Sequence, residues 1–251
     1  MTPSSHYLAC EGRELHYTEW GAGQPEVVVA WHGLARTGRD MDDIAAHLAP
    51  RFRVICPDTL GRGLSQWSPL PDQEYRLAFY AAQAASLLDQ LGIQRLVLDD
   101  IGPELAAPAV ARIRSYAGSP VAFATVSELE QYFRGIYKPY GALTDAQWRR
   151  LTETRVRRLP DGRVTPHYDP AMVRQLEAHP GDYDQWPAWD ALRIPVLALR
   201  GEHSDLLLPE VAEAMRQRGP RAVVVTVPDC GHAPALNTPE QCRLVERFFR
   251  A

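Results

Sequence analysis

The sequence lacks several features, and each absence excludes a class of protein. Nowhere do about 18 apolar residues follow one another, so no segment reads as a membrane-spanning helix. There is no basic excess: 27 Lys and Arg stand against 31 Asp and Glu, for a net charge of −4. Nucleic acid or an anionic membrane surface as partner would call for a basic footprint, and neither is expected. Cysteine is scarce. Cys10, Cys56, Cys230 and Cys242 are scattered without metal-ligand spacing, so neither a metal nor a cofactor is expected. The opening "MTPSSHYLAC" has no basic start and no apolar core, unlike a signal peptide, and reduced thiols in the cytoplasm are the expectation. No internal repeat and no low-complexity tract is present.

What is there is a succession of short apolar runs, each followed by a turn and a helix-like segment, the pattern of a mostly parallel sheet flanked by helices. The alternation in "RELHYTEW" predicts an opening antiparallel hairpin. Strands are predicted at Glu26–Trp31, Arg53–Asp58 and Arg95–Asp99, and in "IPVLALRG" and "RAVVVTV" near the C-terminus. Helices are predicted from about Asp40 to Leu48, over 74–91 with Gly92 as the C-terminal cap, from Pro209 to Gly219, and after the capping box "TPEQ" at Thr238. Residues 119–190 differ in character. They are rich in aromatic residues, carry N-cap signals at Ser127, Thr144 and Asp169, and hold a tight turn at "PDG". They read as a mobile, largely helical cap inserted into a core formed by 1–118 and 191–251, its aromatics mostly packing the cap onto that core.

Four segments carry the chemistry: "WHGLARTGRDMDDIAAHL", "PDTLGRGLSQW", "LRGEHSDLL" and "DCGHAPALNTPE". In this order and at these intervals they resemble the α/β-hydrolase family of esterases and C–C bond hydrolases, and the resemblance covers almost the entire chain. It implies that His232 is a general base, a role suited to a side chain that titrates near neutrality. It implies that Asp205 orients that histidine, with His203 a bystander. It implies that the turn at Gly33 offers the Leu34 N–H to a developing oxyanion. Ser65 in "GRGLS" matches a structural turn of the family rather than a nucleophile, and Cys230 reads as a small buried residue.

The family's nucleophile belongs in G-x-S-x-G on a strand-to-helix turn. None of the nine serines lies in that pattern. Where the elbow belongs the chain reads "RLVLDDIGPEL", which resembles the family's next strand, as though a strand, an elbow and a helix of roughly 25–30 residues were missing. The Arg95–Asp99 strand is then expected to move into the vacancy and pair with the strand around Val54, with lowered stability or self-association through the uncovered face.

Three functions follow. The first is a hydrolase of small carboxylic esters or C–C bonds, impaired by loss of its serine. The second is a protein that binds small molecules in the cap pocket without turnover. The third places Asp100 at the elbow as an ester-forming nucleophile, as in the family's dehalogenases and epoxide hydrolases.

Overall fold

The computed structural model describes residues 2–89, 96–99, 101–137 and 140–250. The chain opens with β1 (Ser4–Cys10) and β2 (Arg13–Trp20), joined by Glu11 and Gly12 at φ 51° and 72°, the left-handed pair that a two-residue hairpin turn requires. It continues through β3 (Val27–Val29), α1 (Asp42–Leu48), β4 (Arg53–Pro57), α2 (Pro71–Glu74), α3 (Leu77–Asp89), β5 (Leu96–Asp99) and α4 (Ala107–Ala117). The middle of the chain forms α5 (Val126–Ile136), α6 (Asp145–Glu153), the hairpin β6 (Val156–Arg158) and β7 (Val164–Pro166), α7 (Arg174–Ala178) and α8 (Trp186–Ala191). The last elements are β8 (Val196–Gly201), α9 (Pro209–Gln217), β9 (Val223–Val227) and α10 (Pro239–Arg250).

The strands form a four-stranded sheet in the order β1-β2-β4-β3 and a three-stranded parallel sheet in the order β5-β8-β9. In the first, β2 and β4 are antiparallel and β3 and β4 parallel. The expected pairing of the Arg95–Asp99 strand with the strand around Val54 is therefore corrected. Val54 lies opposite Trp20 on one side and Val28 on the other, so both edges of β4 are occupied, while β5 lies against Val196–Leu199 of β8.

One more expectation needs correction. The N-cap of α5 is Thr125, not Ser127: the Glu128 N–H donates to Thr125 Oγ1 at 3.2 Å, and Glu128 Oε2 accepts from the N–H groups of Ala124 and Thr125 at 2.9 and 3.4 Å. The reciprocal box sits two residues earlier than the serine suggested. Besides their helices, residues 119–190 hold the β6–β7 hairpin, whose turn places Gly162 at φ 87°. The caps at Thr144 and Asp169 form as the sequence predicts, each side chain accepting a backbone N–H.

By contacts the chain divides into two compact units, one of residues 1–93, 116–135 and 144–179, the other of 94–115, 136–143 and 180–251. In the first unit β4 is buried almost throughout, as its apolar run demands. In the second, Val196, Ala198, Leu207, Val211, Met215 and Val224 pack with Trp189 into one cluster between β8, β9 and α9. Each fully buried aliphatic side chain there contributes about 1.5–3 kcal/mol.

Candidate active site

In the second unit the site grows from two parallel strands. β8 and β9 run side by side, with Gly201 opposite Val227, so the chain leaves both at the same end of the sheet. There the two loops bind each other through their backbones. The Glu202 N–H donates to the Val227 carbonyl and the His203 N–H to the Cys230 carbonyl, both at 2.9 Å. A Cβ on Gly201 would lie 2.1 Å from the Gly231 carbonyl oxygen, so only glycine permits this approach. One loop carries Asp205, the other His232. Spacing in the sequence sets their order, and the parallel pairing of the strands makes the two loops neighbours.

Ser204 shapes the first loop, its hydroxyl accepting the N–H groups of Leu206 and Leu207 at 3.2 and 3.1 Å. The N-cap of α9 is Leu208, which makes no side-chain capping bond, so Asp205 does not cap that helix. Its carboxylate instead receives Arg112 of α4, Nε to Oδ2 and Nη2 to Oδ1, both at 2.9 Å. His203 is exposed, with Glu202 at 3.9 Å. His232 is half-buried between the buried residues Gly231 and Ala233. Cys230 is buried, and its thiol donates to the Val227 carbonyl.

Gly33 and Leu34 lie in the first unit, on the turn after β3. Gly33 is exposed, and its carbonyl accepts the Nδ1–H of His32 at 2.6 Å. The Thr59 N–H donates to the other ring nitrogen at 2.9 Å, which makes Nε2 the acceptor and places the proton on Nδ1. Burial lowers the pKa of His32 to about 4, so the ring is neutral near pH 7 and serves as a brace for the turn. Among the described residues the Leu34 N–H has no hydrogen-bond partner. The Leu34 carbonyl is held by Arg62 Nε at 2.8 Å.

Sequence reasoning missed Arg62. It is buried, and besides Leu34 it binds the Leu60 carbonyl at 2.6 Å, the Tyr80 hydroxyl at 2.7 Å and Gln175 at 3.3 Å. The signal was its place between Gly61 and Gly63, which stand at φ 80° and 51°. A Cβ at either would collide with Tyr75 or Asp58. Ser65 is buried and committed to structure, donating to the Asp58 carbonyl at 2.7 Å and accepting the His16 N–H at 2.8 Å. Asp100 lies outside the described residues.

The chain is similar to known proteins over most of its length. A family model described as "Alpha/beta hydrolase family" matches residues 27–243. A 3-hydroxybutyrate-oligomer hydrolase of Cupriavidus necator is 36% identical, with 94% of this chain and 92% of that protein covered. That match extends over 272 residues, more than the 251 of this chain. A non-heme haloperoxidase of Rhodococcus erythropolis is 33% identical over 41% of this chain and 36% of its own length. Among solved structures, an alpha/beta hydrolase from Novosphingobium aromaticivorans superimposes with a TM-score of 0.85 at 30% identity, covering 99% of this chain and 98% of that one.

Proposed function

The chain belongs to the alpha/beta hydrolase family, and from that premise we propose that it binds small carboxylic esters of short hydroxy acids and hydrolyses them slowly, without a covalent intermediate. His232 takes a proton from water, Asp205 orients the imidazole, and the water oxygen adds to the ester carbonyl. The addition leaves a tetrahedral oxyanion. Collapse expels the alkoxide, which recovers the proton from His232. In this reading residues 119–190 form a cap insertion.

The observation that carries the reading is the backbone contact between the loops of Asp205 and His232, made possible by Gly201 against Gly231. The substrate class is supported by likeness to the Cupriavidus protein. The slow rate is supported by the absence of any serine in G-x-S-x-G, and by the extra length of that protein's matched stretch. Losing the nucleophile of such a triad removes most of the acceleration and leaves what positioning and the oxyanion donor supply.

The test is hydrolysis of a linear 3-hydroxybutyrate dimer by the wild type and by His232→Ala. Slow turnover in the wild type, falling to the uncatalysed rate in the variant, is expected. Equal turnover in both, or an ester trapped on Asp100, would overturn the mechanism. Stabilisation by the dimer with no product at all would leave a ligand-binding protein in its place.

A further inference from the structure

The first unit contains a second serine–histidine–carboxylate chain, remote in sequence from every residue discussed as catalytic. Ser5 and Tyr7 share one face of β1, and His16 and Thr18 occupy the matching face of β2, since Tyr7 lies opposite His16 and Ser5 opposite Thr18. Across that diagonal Ser5 Oγ meets His16 Nε2 at 2.5 Å. The other ring nitrogen, Nδ1, meets Asp58 Oδ2 at 2.8 Å. His16 and Asp58 are both buried, whereas Ser5 is exposed. The Tyr7 ring lies 5.1 Å from that of His16 and helps to cover it.

Protons can be assigned along this chain. Burial raises the pKa of Asp58, but the hydrogen bond from His16 and the backbone donors Leu64 and Gly38 outweigh it and hold the carboxyl below its ordinary range. Asp58 is therefore a carboxylate and only accepts, so Nδ1 of His16 carries a proton. In the neutral ring Nε2 must then accept, and Ser5 Oγ–H donates to it. This is the order of roles by which a buried carboxylate fixes an imidazole and the imidazole activates a hydroxyl.

We propose that Ser5 is an activated serine that accepts acyl groups from small activated esters, a covalent site separate from the loops of Asp205 and His232. Ser5 Oγ forms a bond to the acyl carbon while its proton passes to His16 Nε2. The bond from that carbon to the leaving oxygen breaks, and the leaving group departs as the phenolate or alkoxide. Because Ser5 is exposed, water solvates the oxyanion, so the acceleration expected is that of a positioned general base, on the order of 10²–10⁴-fold.

Ser4 supplies the control within the same chain. It too is exposed and bonds a histidine, His6 Nε2, at 2.8 Å, but Glu19 approaches that same nitrogen at 3.3 Å. Among the described residues no carboxylate reaches the other nitrogen of His6, so the relay has no third member there.

The experiment treats the whole protein with 4-nitrophenyl acetate and maps acetylation by peptide mass spectrometry in the wild type, Ser5→Ala, His16→Gln and His232→Ala. Acetylation of Ser5 about 10²-fold faster than of Ser4, slowed as much by His16→Gln and unchanged by His232→Ala, is the expected result. Equal labelling of Ser4 and Ser5 in the wild type would overturn the proposal, and that comparison needs no variant to fold. Loss of Ser5 labelling in His232→Ala would also overturn it. Neither outcome bears on the dimer assay above, whose substrate carries no activated leaving group.

Discussion

Arg112 grips Asp205 through two parallel hydrogen bonds, Nε to Oδ2 and Nη2 to Oδ1, each 2.9 Å long. The side chains are 41% and 52% exposed, so water and salt screen the pair despite its bidentate geometry. Arg112→Ala is expected to cost less than about 1 kcal/mol in urea unfolding. Because it releases the carboxylate that the proposed mechanism assigns to His232, the His232-dependent hydrolysis of the hydroxybutyrate dimer should rise. A fall in that rate would show that Asp205 works only when clamped.

Gly201 offers a sharper probe of the same region. A Cβ there meets the Gly231 carbonyl at 2.1 Å, and backbone on both sides leaves no flexible side chain to yield. Gly201→Ala should destabilise the protein by about 1–3 kcal/mol, the ordinary cost of overpacking. It should also abolish stabilisation by the ester, because the loops must part. Thermal melts with and without the dimer check both. Unchanged ligand stabilisation would detach binding from these loops.

His32 predicts a slope in stability against pH. Its pKa falls from 6.5 to about 4 on folding, so the unfolded chain binds the proton more readily. The stability tied to its neutrality is complete above pH 6.5 and is lost as pH falls toward 4, on the order of 3 kcal/mol in all. His32→Gln should flatten that part of the urea-midpoint curve between these two pH values. An identical curve in the variant would assign the slope to other groups.

Asp40 lies between Arg155 and Arg36, with Arg155 Nε donating to Oδ1 at 2.6 Å and Arg36 Nε to Oδ2 at 2.5 Å. Its side chain and that of Arg155 are almost completely buried. Burial pushes the Asp40 carboxyl up, but the two guanidinium groups outweigh it and hold it below its ordinary range. Asp40→Ala strips two cations of this carboxylate and should cost about 3–5 kcal/mol. Asp40→Ala combined with Arg155→Met should recover part of the loss, which chemical denaturation would measure. A double variant as unstable as the sum of the singles would mean that the charges do not interact.

The α/β class was legible because buried parallel strands write themselves as unbroken apolar runs, as in Val196–Leu199. Caps were legible where the side chain is adjacent to what it binds, as at Thr144. Strand partners were not, because pairing depends on which edges remain open, and nothing local to Val54 records that Trp20 and Val28 already flank it. Arg62 escaped for a related reason. Its ligands come from Leu34, Tyr80 and Gln175, far apart in the chain, and a buried cation has no periodic signature. The neighbouring loops of Asp205 and His232 were legible as motifs, but the grip of Arg112 on Asp205 depends on where α4 lies and left no local mark.

Asp58 receives the His16 ring, the Gly38 N–H and the Leu64 N–H on one carboxylate, while its own main chain binds His16 and Ser65. A hairpin strand, the approach to a helix and a surface turn thus share a single titrating anchor. Since its pKa is depressed on folding, its contribution persists above the unfolded value and vanishes as acid drives the folded carboxyl through its own. One proton then unfastens three stretches of chain together, and this predicts that acid dissolves the N-terminal sheet in one concerted step, with amide exchange accelerating at residues 38 and 64 at the same pH.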